Sequence, residues 1–262
     1  MKHWEYRGKW KSYWRDERLD ESLKKMVKHH VCVVKEGEKT STEEVDVCVD
    51  ELYHIFLNSE RVASLTALPT QLEEMAVGHL VCEGFLPSPP PSLNLEIQNN
   101  EVRVITTTTE GMSEPDARTE SNKIRGDVKI TGDVIFSLIE HITENARLWR
   151  RTGGTHSTLI ADSDGKVLFS CEDVSRHTAM DKAVGYCVIK GIELSECVVA
   201  TTCRLSEGIV RKVARIGIPI IVSKAAPLSS GIEVSEEAGI TIVAFVRRPN
   251  LYIYTHPERV LI

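Results

Sequence analysis

Acidic, basic and thiol side chains are concentrated between Cys171 and Lys182. If a helix begins by Asp173, then Asp173, His177 and Asp181 recur every four residues and line one helix face. Two carboxylates that flank an imidazole would tune the pKa of His177. The alternative interpretation is a helix cap followed by surface salt bridges, since both are common.

Groups that favour an anionic ligand lie in and before this segment. Arg176 and the free amides of the helix start would attract a phosphate or pyrophosphate. The run Gly153-Gly154-Thr155-His156 offers a flexible loop whose main-chain amides a ligand could approach closely. The same four residues could instead form a tight turn that leads to a buried histidine.

Three further polar segments follow predicted strands. Thr202-Cys203-Arg204-Leu205-Ser206 stands where a strand ends and a helix starts, which is where open α/β sheets place their ligands. Ser206 would serve equally well as a plain helix cap. Ser223-Lys224 and Arg247-Arg248-Pro249-Asn250 also follow strands, so we expect all three segments to add charge around one crevice.

The second half of the chain must position these residues, and it alternates between the strand and helix periods. This alternation predicts a sheet covered by helices on both faces. The predicted strands are 156–161, 167–170, 198–202, 218–222 and 240–246, and the predicted helices are 179–190, 206–216 and 229–238. Thr131 is expected to cap a preceding helix whose apolar face includes Ile135, Leu138 and Ile142.

The first half of the chain favours strands. Residues 44–57 and a strand from Val62 predict a hairpin, and strands at 93–97 and 101–106 predict a second one. Between the hairpins, an amphipathic helix is expected to open after Pro69-Thr70 and to close at Gly84. The predicted fold class is therefore α/β with a smaller β-rich N-terminal subdomain.

Composition predicts four parts along the 262 residues. They are a basic N-terminal arm (1–43), a β-rich subdomain (44–110), a polar mobile loop (111–130) and an α/β domain (131–262). The arm contains Trp4, Trp10 and Trp14, which favours packing on the body or on a dimer mate over contact with RNA or a membrane. A formal charge of −6 also argues against general nucleic-acid binding.

The seven cysteines are scattered and contain no C-x-x-C pair. A zinc ribbon and a thioredoxin-type redox pair are therefore excluded, and we expect no zinc. Scattered reduced thiols, the lack of a long apolar run and a charged N-terminus predict a cytoplasmic protein without a membrane span.

Taken together, the motifs resemble one family, the formate dehydrogenase accessory sulfurtransferases (FdhD/NarQ). The resemblance covers residues ~45 to 262 and is carried by ordered motifs. These are Ala76-Val77-Gly78-His79-Leu80, Glu83-Gly84-Phe85, Gly153-Gly154-Thr155-His156, Glu172-Asp173-Val174-Ser175-Arg176-His177 with Asp181-Lys182, Arg204-Leu205-Ser206, Gly217-Ile218-Pro219 and Tyr254-Thr255-His256-Pro257-Glu258-Arg259.

The resemblance implies a fold like that of cytidine deaminases, commonly in a homodimer. It also implies a protein that carries sulfur from a cysteine desulfurase to the molybdenum or tungsten cofactor of a formate dehydrogenase or a related enzyme. The implied ligand is the molybdenum or tungsten bis(pyranopterin guanine dinucleotide) cofactor, contacted by the loop from Val246 to Leu251. The resulting set of expected binding residues is Gly153, Gly154, His156, Asp173, Arg176, His177, Asp181, Lys182, Arg204, Ser223, Val246, Arg247, Arg248, Pro249, Asn250 and Leu251.

One departure from the family pattern affects the sulfur chemistry. The family's persulfide loop contains C-x-x-C, and alignment on Arg118-Thr119 places Ser121 and Ile124 at those positions. Because a serine hydroxyl cannot form a persulfide, the usual relay is lost. Cys203 beside Arg204 is the first candidate to replace it and Cys171 the second, although either could be an inert buried thiol.

Two hypotheses therefore remain open. The protein is a sulfur carrier for a pyranopterin cofactor, or it is a cofactor-binding maturation chaperone without that chemistry. A zinc deaminase is excluded, because His3-Trp4-Glu5 and His256-Pro257-Glu258 fit H-x-E but no P-C-x-x-C follows either of them.

Overall fold

The computed structural model describes residues 24–106, 124 and 127–262. The tryptophans of the predicted arm, Ser121 and most of the predicted mobile loop lie outside these described residues. Within the described part, no helix is long and apolar enough to cross a membrane.

The described residues form a mixed α/β fold with several sheets and six α-helices. The strands are β1 (Val27–Glu36), β2 (Lys39–Cys48), β3 (Glu51–Leu57), β4 (Glu60–Ala67), β5 (Leu93–Gln98), β6 (Glu101–Thr106), β7 (Ile130–Thr131), β8 (His156–Asp162), β9 (Val167–Asp173), β10 (Cys197–Thr201), β11 (Ile220–Ser223), β12 (Thr241–Arg247), β13 (Asn250–Ile253) and β14 (Val260–Leu261). The helices are α1 (Leu72–Glu83), α2 (Gly132–Asn145), α3 (Arg147–Thr152), α4 (Arg176–Ile189), α5 (Glu207–Arg215) and α6 (Ser229–Ala238).

The largest sheet has six strands in the order β13-β12-β11-β10-β8-β9. Its strands β10, β11 and β12 are parallel, whereas β8 runs antiparallel to β10 and β9 antiparallel to β8. Three strands therefore end at the edge where β8 begins and β9 ends. We call this the carboxyl edge, and His156, Asp173, Thr201, Ser223 and Arg247 mark it.

Helices cover both faces of this sheet, as predicted, because the strand side chains alternate between two apolar layers. Ile160, Val199 and Ile221 pack with α4, α5 and α6 on the front face. Leu159, Ala200 and Val222 pack beneath α2 on the back face, where Ile135, Leu138 and Ile142 complete the layer. The Thr131 cap of α2 is confirmed, since its hydroxyl accepts a hydrogen bond from the Val134 amide at 3.3 Å.

The N-terminal half contains a four-stranded sheet in the order β4-β3-β6-β5 and a two-stranded ribbon, β1 with β2. The predicted hairpin at residues 93–106 is confirmed. The single strand predicted over 44–57 is wrong, because it joins the end of β2 to β3 across a break at residues 49–50. The boundary predicted after residue 43 consequently falls inside β2.

Helix α1 begins and ends where it was predicted, with Gly84 as its left-handed cap. It is not amphipathic, however, because every residue from Met75 to Cys82 is buried. It packs along α4, and its side chains share one apolar cluster with the large sheet. The two predicted halves are therefore joined by a common core.

Candidate functional site

The structure brings most of the predicted site segments to the carboxyl edge. Strand pairing places His156 beside Asp173. Thr201 lies between Thr158 and Ser223 on the neighbouring strands. The hairpin from Val246 to Leu251 stands at the end of β12. Segments that are up to about ninety residues apart in the chain thus meet at one edge of one sheet.

The Gly153-Gly154 loop is exposed at this edge. Gly153 has a φ of 68°, a left-handed value that suits glycine, and its amide donates to the Trp149 carbonyl at 2.7 Å. The Thr152 hydroxyl oxygen accepts from the Gly154 amide at 3.1 Å and lies 2.9 Å from the Cys48 Sγ. These hydrogen bonds fix the conformation of the loop, and Gly153 and Gly154 remain exposed to solvent.

Glu172 is a structural partner that the residue-by-residue prediction left unassigned. Its carboxylate accepts hydrogen bonds from the amides of Leu148 and Trp149 at 2.9 and 2.8 Å, and from the Thr155 hydroxyl at 2.8 Å. A side chain from β9 thus caps helix α3, whose own N-terminal residue, Ala146, offers no side-chain acceptor. Because this cap is formed by a residue more than twenty positions away in the chain, the local sequence pattern could not predict it.

Asp173 lies at the end of strand β9 and not in the following helix. Ser175 is the N-cap of α4, so the predicted one-face stripe of Asp173, His177 and Asp181 is wrong. The Asp173 carboxylate contacts the Lys182 ammonium at 2.7 Å and accepts from the Leu68 and Ser175 amides. Burial raises the pKa of Asp173, although Lys182 opposes the rise.

A second buried cluster contains Asp181. Its carboxylate lies 2.7 Å from the Lys212 Nζ and 3.2 Å from the His79 Nδ1, and Lys212 also contacts Glu83 at 2.6 Å. Burial alone would raise the pKa of Asp181, but Lys212 and His79 hold it below its ordinary value. Asp173, Asp181 and Lys182 are at most 1% exposed. The structure therefore places these three predicted binding residues beneath the edge, where they support it.

Arginine side chains provide the charge at the edge itself. Arg176 is half-buried, and Arg204 and Arg247 are exposed. Within the described ranges, none of these three has a carboxylate partner. Arg248 differs, because Asp133 and Glu140 bind its guanidinium at 3.2 and 3.0 Å.

The two histidines respond to this positive charge. Burial, followed by Arg176 and Arg204, lowers the pKa of His156. Burial, followed by Lys212 and Arg176, lowers the pKa of His177. Both shifts favour the neutral imidazole, so the cationic charge of the edge comes from the arginines.

The structure argues against the predicted reactivity of Cys203. Its side chain is 1% exposed, and burial raises the pKa of its thiol against the weaker effects of Thr201, Arg176 and Arg204. Cys171 is also buried with a raised pKa, and its thiol lies 3.2 Å from the Ala179 carbonyl oxygen. The expectation that a helix start would favour the Cys203 thiolate is wrong, because desolvation outweighs the nearby charges.

Other predicted residues have different places. Ser223 is buried, and its hydroxyl donates to the Cys203 carbonyl at 2.7 Å. Val246 is buried in the back apolar layer. Ile124 lies at the opposite edge of the sheet, where its amide donates to Ala238 and its carbonyl accepts from Arg259.

Comparison with known proteins supplies the context for this edge. The model of the FdhD/NarQ family matches residues 48–127 and 105–261. A protein named sulfur carrier protein FdhD from Shouchella clausii is 35% identical over 229 residues, which are 78% of this chain and 85% of the relative. A protein of the same name from Methanothermobacter thermautotrophicus is 33% identical over 220 residues, covering 79% and 88%.

A solved structure is also similar to this chain. It is the crystal structure of a protein described as a formate dehydrogenase accessory protein from Desulfotalea psychrophila. The TM-score is 0.81 at 26% identity, and the match covers 90% of this chain and 100% of the other.

Proposed function

The chain belongs to the FdhD/NarQ family, and we propose that it is an accessory protein in the maturation of a molybdenum or tungsten formate dehydrogenase or a related enzyme. Its cargo is the bis(pyranopterin guanine dinucleotide) cofactor, held at the carboxyl edge. As the resemblance implies, the protein acts as a cytoplasmic homodimer with a core like that of cytidine deaminases.

The observation that carries this proposal is the set of three arginines without carboxylate partners, Arg176, Arg204 and Arg247, at one sheet edge of the described chain. Guanidinium groups bind pyrophosphate through paired donors, and the exposed Gly153-Gly154 loop lets a ligand come close to the main chain. A dinucleotide cargo with several phosphates fits this chemistry. The buried ion pair between Asp173 and Lys182 holds the end of β9, and Arg176 lies three residues after that end.

We expect cofactor occupancy to depend on these arginines. The full chain and Arg204→Gln, Arg247→Gln and the double variant would be purified from cells that make the cofactor. Guanine nucleotide and metal released from each are then measured by mass spectrometry. The double variant should retain about a tenth or less of the bound cofactor, since each lost guanidinium removes a charge-assisted contact.

The matched control for that experiment is Arg211→Gln. Arg211 is also exposed, but it pairs with Glu207 on the surface of α5. Its occupancy should equal that of the unchanged protein. Equal occupancy in the double variant and the control would show that the cargo does not bind at the carboxyl edge.

Sulfur transfer is the second candidate function, and the name shared by the two relatives favours it. The buried thiols of Cys203 and Cys171 do not support it. Burial and the nearby carboxylates also raise the pKa of the Cys48 thiol, but Cys48 is only half-buried and its sulfur would lie 3.3 Å from a Cβ on the exposed Gly154, so a sulfur donor can reach it. We therefore expect that any transferred sulfur resides on Cys48 and not on Cys203.

Intact mass spectrometry separates the two functions. The protein is incubated with a cysteine desulfurase and cysteine, and Cys48→Ser and Cys203→Ser are treated in parallel. An adduct of about 32 Da that is lost only in Cys48→Ser supports a sulfur carrier. The absence of any adduct leaves a cofactor-binding chaperone, and loss only in Cys203→Ser would refute the argument from burial.

A further inference from the structure

Three polar side chains lie side by side at the back of the carboxyl edge. The Ser157 amide donates to the Thr202 Oγ1 at 3.0 Å, and the Thr202 amide donates back to the Ser157 carbonyl at 3.0 Å. On the next strand, the Lys224 amide donates to the Thr201 carbonyl at 3.2 Å. Ser157, Thr202 and Lys224 thus occupy the same level on neighbouring strands, and we call them the polar row.

The polar row lies on the face that α2 covers. Ser157 is two residues before Leu159, which packs in the back apolar layer, and side chains two apart on a strand share a face. The Lys224 ammonium reaches the Thr143 hydroxyl on α2 at 3.2 Å. Arg176 and Arg204, which influence His156 and Cys203, are on the front side. The edge therefore carries cations on both of its sides.

The polar row has hydrogen-bonding capacity that the described residues do not use. The Ser157 Oγ is buried and has no hydrogen-bond partner among them, and the residue is 3% exposed. Buried hydroxyls in proteins are nearly always paired. The Lys224 ammonium has three donors and no carboxylate partner within the described ranges.

The surroundings of Lys224 favour an anion. Burial and the nearby Arg247 both lower the pKa of its ammonium, so two cations lie near each other at this corner. Glu172 stands opposite Ser157 in the ladder, but its carboxylate is occupied by the amides that begin α3. Thr202 and Lys224 are only partly buried, so the row opens to solvent at that end.

We infer that the polar row is an oxyanion subsite for a phosphate-type group. Lys224 and the Thr202 hydroxyl donate to the anion, and the Ser157 hydroxyl closes the inner end of the site. The inference rests on the proposed function and deepens it, because it gives an anionic ligand a contact at the back of the edge in addition to Arg176 and Arg204 in front. It also assigns Ser157, Thr202 and Lys224 to binding.

Titration calorimetry of the full chain with inorganic pyrophosphate tests the subsite. Lys224→Met should weaken the Kd about tenfold or more, and Ser157→Ala about threefold, as expected for charged and neutral hydrogen bonds. Lys166→Met is the matched control, since Lys166 is exposed in the turn between β8 and β9 at the far edge. Its Kd should equal that of the unchanged protein.

The outcomes separate the subsite from the proposed function. If Arg176→Gln and Arg204→Gln weaken pyrophosphate binding while Lys224→Met does not, the subsite is refuted and the proposed function stands. If the unchanged protein does not bind pyrophosphate, the subsite and the anionic site of the proposed function are both refuted.

Amine labelling provides a second measurement that needs no variant. The unchanged protein is acylated with and without saturating pyrophosphate, and the rate at each lysine is followed by peptide mass spectrometry. Pyrophosphate should slow acylation of Lys224 several-fold and leave Lys166 unaffected, because a bound anion covers the amine and favours its protonated form. Equal rates at Lys224 in the two samples would overturn the inference.

Discussion

At the scale of residues, the carboxyl edge depends on charges that never reach its surface. Asp181 lies between Lys212 and His79 and ties α4 to α5 and α1. Removing one partner of a buried ion pair leaves the other uncompensated. We expect Asp181→Asn to lower the free energy of unfolding by about 3–5 kcal/mol at pH 7, measured by urea denaturation.

The same variant should change the pH dependence of stability. Because the folded-state pKa of Asp181 is lowered, its contribution is fully present above the unfolded value of about 3.9 and is lost as pH falls through the folded value. The difference between parent and variant should therefore shrink below about pH 4. Asp164→Asn, in the exposed turn after β8, is the control and should show no such difference. A constant difference down to pH 2 would contradict the assignment.

The residue scale also shows where sequence reasoning stops. The motifs from Gly153 to Arg204 predicted segments that the structure does bring together at the carboxyl edge. The motifs could not show that Arg176 is partly exposed at the edge whereas Lys182 is buried behind it. That difference depends on whether the helix begins at Asp173 or after Ser175. The sequence likewise left open whether Cys203 is a reactive or an inert buried thiol, since only packing determines how far a thiol is desolvated.

At the scale of elements, the crossing of α1 and α4 determines where the edge residues stand. A Cβ on Gly78 would lie 1.8 Å from the Asp181 carbonyl oxygen, and a Cβ on Gly185 would lie 1.8 Å from the Glu74 carbonyl oxygen. Backbone atoms cannot yield as a flexible side chain does. We expect Gly78→Ala and Gly185→Ala each to destabilise the fold by about 3 kcal/mol or more, which thermal unfolding would detect.

Gly132→Ala is the matched control for the crossing. Gly132 is also a helical glycine, but the nearest atom to its added Cβ is the Leu251 Cδ2 at 3.8 Å. Its stability should be unchanged or slightly higher, because alanine favours helix formation over glycine. Equal changes in stability for all three substitutions would contradict the close backbone contact between α1 and α4.

Elements with local signals were predicted well. Each of these signals involves only a few neighbouring residues, so it can be recognised in the sequence. They are the cap at Thr131, the left-handed Gly84 and the alternation of residues 93–106. The burial of α1 on all sides was not predicted, because it comes from tertiary contacts with α4, α5, β5 and β6. The break that separates β2 from β3 was missed for a similar reason, since the partner strands and not the sequence pattern determine it.

At the scale of the molecule, residues of the N-terminal half contact the buried charged groups that lie behind the carboxyl edge. Leu68 bonds both members of the Asp173–Lys182 pair, with its amide to the carboxylate and its carbonyl to the ammonium. Glu83 reaches Lys212 from the end of α1. Elements before residue 84 therefore bind the buried charged groups behind the arginines and share this core with residues 131–262.

This shared core predicts that residues 131–262 do not fold alone. Without the residues before 131, the face of α4 around Asp181 and Gly185 would lose its contact with α1, and Lys182 and Lys212 would each lose a partner. Far-UV circular dichroism during urea titration should show a single cooperative transition for the full chain and a broad, non-cooperative one for the fragment. A sharp transition in the fragment would mean that the C-terminal half stabilises its own core. The backbone hydrogen bonds of Leu68 and the carboxylate of Glu83 would then be dispensable to the carboxyl edge, and the arginines would have to be positioned by the large sheet and its own helices.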